Sequence, residues 1–400
     1  IDSDGHLDLF VLRVGPNRIL RGLGDCEFEV ADFGLPEDNR WSTAFSATWE
    51  AGQTLPTLAI GNYVDRSDPD GPFEACDANI LHRPEGETYR QIPLTPGFCA
   101  LSILFSDPQR IGTAALRVSN DRHYYVRNGT EQMWDLTNPP RLRTEAEGWA
   151  PLSIWGMGIA ARDLTGDGLP EIMLTSMGDQ ILQFAQPDGS FRNAPFETGT
   201  YAQRPYLGDD GRPSTGWHAQ FADVNNDTRP DLFIAKGNVD QMPSNAMKDP
   251  NNLLIQSPDG SFEEHGETSG IASTARARGA SLADLNRDGL LDLVVVNRRA
   301  PVELYRNATP DAGHWLTLAL SQPAPNRNAL GAWVEVRTPA RTQTLEVTLG
   351  GGHASGAQLP LHIGLGQATQ ADLRITWPDG TQTDWQTLQA NTHHHIQPES

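Results

Sequence analysis

Three stretches of this chain place carboxylates at the first, fifth and ninth positions of a nine-residue segment, with an amide or hydroxyl at the third. They are Asp163, Thr165, Asp167 and Glu171; Asp223, Asn225, Asp227 and Asp231; and Asp284, Asn286, Asp288 and Asp292. All these groups are hard oxygen donors, the kind of which calcium takes six to eight, and a backbone carbonyl at the seventh position extends each set through Leu169, Arg229 and Leu290. Bringing three acids to one point needs a sharp turn. Glycine at the sixth position supplies it in Gly168 and Gly289, while Thr228 stands there in the middle segment, so the Asp223 site is the weakest of the three. The first residues, Asp2, Asp4, His6 in the carbonyl position and Asp8, continue the same template from its third position.

Calcium is the expected ion, in about three to four structural sites. Magnesium prefers octahedral sites that keep several waters, and a metal-free Asp-Gly turn would not repeat so many oxygen donors in register. An EF-hand shares the first half of the template, but it needs a bidentate Glu at position twelve and flanking helices. Leu174, Ile234 and Val295 occupy that position, each inside an apolar run that reads as a strand.

The elements that carry these loops follow from their period. Asp163, Asp223 and Asp284 are 60 and 61 residues apart, a spacing that marks a repeat fold. The rhythm continues backwards through 49–61, with Gln53 and Thr57 at acid positions, and 107–120, with Ile111 and Ala115 there. These two units are expected to hold no metal. Each unit reads as several short strands: Trp217 to Val224, Asp231 to Ala235 and Asn252 to Gln256 in one, with Pro187-Asp-Gly-Ser-Phe191 and Ser257-Pro-Asp-Gly-Ser-Phe262 as hairpin turns. Small residues precede the loops, as in Gly158-Ile-Ala-Ala161 and Gly279-Ala-Ser281, and suit innermost strands crowded around a central channel. A parallel solenoid, the competing repeat architecture, has shorter repeats.

Composition agrees with an all-β chain: 400 residues are 38% hydrophobic, with 38 Gly and 29 Pro. The formal charge of −21 excludes nucleic acid as a natural partner and favours cations. No apolar run of the roughly 18 residues needed for a membrane helix occurs. The chain opens on Ile1 inside a metal-loop motif, so a leader and further mature sequence are expected upstream. Cys26, Cys76 and Cys99 fit no zinc spacing; one disulfide, Cys76 to Cys99 as neighbours in sequence, with one free thiol is expected, against three buried thiols in a reducing compartment.

At these loops the sequence resembles the FG-GAP/VCBS calcium-loop repeats of integrin-α-like seven-bladed β-propellers, over residues 1–310, with six repeats visible. Residues 311–400, through Asn326-Arg-Asn-Ala-Leu-Gly-Ala-Trp-Val-Glu-Val336, Leu361-His-Ile-Gly-Leu-Gly366 and Ile375-Thr-Trp-Pro-Asp-Gly380, resemble the ASPIC/UnbV domain of the cartilage-acidic-protein family. The resemblance implies a calcium-binding propeller followed by a small β module, secreted or periplasmic. Read from the residues, His314 to Leu320, Ala332 to Arg337, Thr344 to Leu349 and Asp372 to Trp377 alternate as strands of a small sandwich, and the glycine runs at 350–352 and 364–366 read as tight turns.

No Gly-x-Ser-x-Gly elbow, His-Glu-x-x-His or P-loop occurs, so the expectation is a non-enzymatic binding or scaffold protein with a protein or glycan partner. The alternatives are a subunit of a larger extracytoplasmic assembly, or a propeller hydrolase or oxidoreductase acting at the channel mouth. Trp155, Met157, Trp217 and His218 precede the loops and are candidates for that mouth, as is the cluster 120–125. Successive His393, His394 and His395 alternate faces on a strand and make a poor metal site. Sequons at Asn128, Asn226 and Asn307 are weak signals, Asn226 because it lies within a metal loop.

Overall fold

The computed structural model describes residues 1–121, 126, 128–201, 213–239 and 245–398. The regular structure among them is strand, apart from two three-residue 3-10 turns at Glu145–Glu147 and Phe196–Thr198. Six antiparallel sheets follow one another along 9–305. Sheets two to five are four-stranded meanders, and sheets one and six have three strands each.

Each apolar run behind a loop becomes the second strand of its sheet. Thr57–Asn62, Ala115–Asn120, Glu171–Ser176 and Asp231–Lys236 are buried along their whole length, as expected for strands covered on both faces by neighbouring sheets. The first strands of sheets two to six are Ser42–Thr48, Ala100–Ser106, Gly156–Arg162, Gly216–Ala222 and Ala277–Ala283, and each touches the next in that order. This is the radial arrangement of propeller blades around a channel. Small residues allow it: a side chain at Gly158 would meet the Trp217 carbonyl of the next inner strand 2.2 Å away. Between blades lie shared cores, such as Ala160, Met173, Leu182, Leu232, Ile234 and Leu254 between sheets four and five.

The two acid-poor units form sheets two and three with the same topology as the acid-rich ones. Sheet one begins with Leu9–Val11, directly behind the loop at Asp2 to Asp8, so that strand corresponds to the second strand of the other sheets. Six sheets are present among the described residues where the resemblance implies seven blades.

After Tyr305 the chain builds a sandwich of a three-stranded sheet (Leu361–Gly366, His314–Leu320, Thr392–Ile396) and a four-stranded one (Thr342–Glu346, Trp333–Arg337, Gln370–Thr376, Gln386–Gln389). Its own core includes Leu316, Leu318, Val334, Val336, Ile363, Leu373 and Ile375. The strand expected from Thr344 to Leu349 instead runs Thr342–Glu346, because the chain beyond it turns into the propeller. Cys76 and Cys99 form the expected disulfide, with Cα atoms 4.9 Å apart, and Cys26 is a free, exposed thiol.

Candidate functional site: acid loops at one end of the channel, an aromatic mouth at the other

The acid loops share one backbone turn. Positions four and six are left-handed in each: Gly166 and Gly168 (φ 82° and 87°), Asn226 and Thr228 (59° and 85°), Arg287 and Gly289 (63° and 87°), and, at the N-terminus, Ser3 and Gly5 (62° and 102°). The first acid holds the turn closed. Asp163 accepts from the amides of Gly166 (2.6 Å) and Gly168 (3.0 Å), Asp223 from Asp227 (2.9 Å) and Thr228 (2.7 Å), and Asp284 from Asp288 (3.1 Å) and Gly289 (2.9 Å). The ninth-position acid spans the strand start. Glu171 accepts from the Leu164 amide at 2.7 Å, Asp231 from Val224 at 3.0 Å and Gln256 at 2.9 Å, and Asp292 from Leu285 at 3.3 Å and Asn307 at 2.9 Å. Asp8 accepts likewise from the Gly22 amide at 3.1 Å, while Asp2 pairs with Arg21 at 2.8 Å and Asp4 accepts from the His6 amide at 2.8 Å. Thr165 and Asn225 accept from the amides of Asp167 and Asp227, and Asn286 from Asp288, so the third position lies inside each turn.

Burial makes four of these acids reluctant to ionise. Glu171 is pushed up to about 8 and Asp223 to about 7, with Asp163 and Asp231 also raised; desolvation is the main cause in all four, and their loop neighbours Asp167 and Asp227 add like-charge repulsion. Glu171 Oε1 is buried without a hydrogen-bond partner. An oxygen-rich loop with raised acids and an orphaned carboxylate oxygen suits a hard divalent cation. Among the described residues, no three His, Cys, Asp or Glu side chains stand close enough together to hold a metal ion. Local cations touch two of the exposed acids, Arg229 on Asp227 and Arg306 on Asp288, the latter at 3.5 Å.

Numbered by their sheets, loops four, five and six begin at Asp163, Asp223 and Asp284, and the two acid-poor loops, two and three, solve the same problem differently. In loop two, Arg83 from the third strand grips Glu50 with two nitrogens at 2.7 Å and donates to the Leu136 and Thr137 carbonyls, while Gln53 and Thr57 hydrogen-bond to the same carboxylate. In this loop a guanidinium neutralises the carboxylate, where the other loops carry further acids. Loop three keeps Asp107 and the turn, accepting from Ile111 (3.1 Å) and Gly112 (2.6 Å).

The C-terminal module sits on this loop face. Glu346 accepts from the Asp107 amide at 2.8 Å, Arg341 donates to the carbonyls of Leu164 (3.2 Å) and Thr228 (3.4 Å), and Gly313 and Gly366 donate to Asn225 and Asn226 at 2.9 and 2.8 Å. Trp315 lies against Gly289, and Trp49 packs on the module core. From there residues 347–358 enter the channel. Gly351 donates to Ile103 at 2.8 Å, Gly352 to Ile159 at 2.7 Å, and Ser46 to the Leu349 carbonyl at 2.5 Å, so three inner strands hold this segment. The expectation of a tight turn at 350–352 is therefore corrected: these glycines, at φ 131°, 70° and 61°, form a plug where any side chain would collide with Ser46, Ile159 or His218 within 2.7 Å. His353 points further along, its Nδ1 3.1 Å from the Met157 carbonyl, and its backbone amide donates to His218 Nδ1 at 3.3 Å. Burial holds both imidazoles neutral, His218 down to about 4 and His353 to about 3.

The other end of the channel is an aromatic mouth. Every inner strand carries a bulge at the same register, which skips Thr43, Leu101, Met157, Trp217 and Arg278 out of the ladder. A bulge re-aims a side chain, and four of these five residues line one end of a cavity of about 1230 Å³ with Trp41, Tyr63, Trp155, Asp121 and the plug tip His353 to Ser355; the same cavity runs on to Ser3, His6 and Asp8 of the N-terminal acid loop and to Pro325 and Arg327 of the C-terminal module. The fifth, Arg278, stacks 3.9 Å over Trp217, and Tyr63 donates to Asp121 at 2.5 Å. Trp155, Met157 and Trp217 thus do line the mouth, but at the strand end opposite the acid loops; His218 lies deeper, against the plug. Sequence alternation could not show the bulges. Residues 122–125 of the polar-aromatic cluster lie outside the described residues. Asn226 and Asn307, two of the sequon asparagines, spend their amides on the Gly289 and Val224 carbonyls, and Asn226 is buried.

Family models match at two places: an FG-GAP-like repeat at 163–234 and again at 223–295, and ASPIC and UnbV at 322–400. Cartilage acidic protein 1 of Mus musculus is 25% identical over 163 residues, which is 40% of this chain and 25% of the relative. The Homo sapiens protein of that name is 25% identical over the same share of the chain and 24% of its own length. The chain spans about a quarter of the length of these curated relatives. Among solved structures, an Agrocybe aegerita lectin that recognises terminal N-acetylglucosamine aligns with TM-score 0.39 and 12% identity, covering 76% of this chain and 80% of the lectin. PorZ of the Porphyromonas gingivalis type-IX secretion system aligns with TM-score 0.40 and 10% identity, covering 98% and 58%. Both are too distant to bear on function. In sequence and in architecture, this chain carries FG-GAP-like repeats on a β-propeller, followed by an ASPIC and UnbV domain.

Proposed function

We propose that the protein is an extracytoplasmic, non-enzymatic binding scaffold, stiffened by calcium at the acid loops and presenting the aromatic mouth to a protein or glycan partner. The five equivalent bulges carry the binding half of this reading, because one irregularity at one register in five strands gathers Leu101, Met157 and Trp217, buried against one another, as the floor of a cavity whose wall is the half-buried Tyr63 and Trp155. The surface suits recognition: half-buried Trp41, Tyr63 and Trp155 stand with Asp121 on the wall of the cavity, and His353 beside them is pinned by the Met157 carbonyl. The acid loops carry the calcium half. Asp163, Thr165, Asp167, Glu171 and the Leu169 carbonyl would hold one ion, and loops five and six would do the same with their equivalents. The Cys76 to Cys99 disulfide supports an oxidising compartment.

Native mass spectrometry of the intact chain tests the metal content: about three to four calcium ions should be present and should leave on chelation. Loss of no mass in excess chelator would end the calcium reading. For the mouth, Trp155→Ala should abolish co-purification of the native partner while the chain stays folded, with the drop in melting temperature that its packing on Leu101, Met157 and Trp217 implies, whereas unaltered capture by that variant would place the binding surface elsewhere.

A further inference from the structure

Loop five is the acid loop without a turn glycine, and it is also the loop that the C-terminal module holds most closely. Thr228 adopts φ 85°, within a few degrees of Gly168 and Gly289 at the equivalent position, although a β-branched residue strongly disfavours that region. Such strain persists only where the surroundings over-determine the backbone. Three contacts do so here. The carbonyls of Asn225, Asn226 and Thr228 accept from Gly313, Gly366 and Arg341, at 2.9, 2.8 and 3.4 Å. His362 Nε2 adds a 2.7 Å contact to the Asn226 side chain, and Gly364 leaves no room for a side chain against the Asp223 carboxylate. Loop four, with its glycine, receives one such contact, from Arg341 to Leu164.

We propose that the C-terminal module replaces the missing glycine of loop five: by docking, it holds the left-handed turn at Thr228 and so makes metal binding by that loop conditional on the module. Gly313, Gly366 and Arg341 are positioning residues, since none of them belongs to the donor set. The metal-binding part of this inference rests on the calcium reading above; the conformational part does not. Loops four and six close on their own glycines and should bind independently of these contacts.

The test uses the full chain with Arg341→Gln and Gly313→Ala, each with and without Thr228→Gly. In the metal-stripped protein, hydrogen exchange at 225–229 should quicken about tenfold in each module variant, a factor set by the strain of a non-glycine left-handed residue. With Thr228→Gly that increase should vanish. Calcium titration by calorimetry should show one site weakened about tenfold in Arg341→Gln and restored in Arg341→Gln with Thr228→Gly. Unchanged exchange at 225–229 would overturn the proposal, and so would an increase that persists when position 228 is glycine. Arg341→Gln is the milder change and keeps the question open to test if Gly313→Ala does not fold. Should the wild-type chain bind no calcium, the functional reading fails while the exchange result still decides whether the module holds the turn.

Discussion

Arg83 shows how one side chain can stand in for a metal. Its guanidinium bridges Glu50 to the Leu136 and Thr137 carbonyls, joining loop two to the neighbouring blade, and the pair is largely buried, with 10% and 22% of the two side chains exposed. Breaking such a pair leaves a carboxylate without its partner in a poor dielectric. Arg83→Leu should therefore cost about 2–4 kcal/mol in urea unfolding, and Arg83→Lys most of that, because an ammonium cannot make the forked contact. Adding Glu50→Leu should recover part of the loss. Calcium affinity should be unaffected in all three variants, and a changed affinity would mean that loop two takes part in metal binding.

At the scale of elements, the plug is the feature that couples module to propeller. His218 and His353 meet there, both neutral, with Arg278 the nearest cation to His353. The sign of the pH effect follows. The unfolded imidazole takes up a proton near pH 6.5, whereas folded His218 resists until about 4, so acid favours the unfolded chain and stability falls as pH drops through that window. Glu346, raised to about 7 by burial at the module interface, acts in the opposite direction between about pH 4.5 and 7, so total stability mixes the two. A comparison isolates the histidine: the stability gap between wild type and His218→Gln should narrow by up to about 3 kcal/mol from pH 7 to pH 4.5. A gap that stays constant would show that His218 is not held neutral.

The acid loops were legible in the sequence because the turn carries its residue types at fixed spacing: Asp284, Asn286, Asp288 and Asp292 announce themselves, and the strand behind them follows from its apolar run. The acid-poor blades were legible only through the period of their neighbours. What escaped was made by the backbone or by residues with no pattern. The plug depends on glycines that pack because they lack a side chain, Arg341 reaches two loops from the hairpin turn between Trp333–Arg337 and Thr342–Glu346, and the five mouth bulges shift register by a single residue.

For the molecule as a whole, the module is not a satellite. It covers the loop face of sheets two to six and sends the plug into the channel, so the acid loops, the plug and the mouth are linked along the channel. Calcium at the loops would then stiffen the seat of the module, and through the plug, the floor of the mouth. On the calcium reading proposed above, this arrangement should depend on cations, since the loop acids, once ionised, would repel one another without them. Hydrogen exchange of the intact chain, with saturating calcium and in excess chelator, tests this most directly. Chelation should deprotect 163–171, 223–231 and 284–292, together with the plug at 350–356, and should leave 48–57 and 106–115 unchanged. Equal protection in both conditions, or a loss spread evenly over all five loops, would contradict a scaffold held by metal at the acid loops alone.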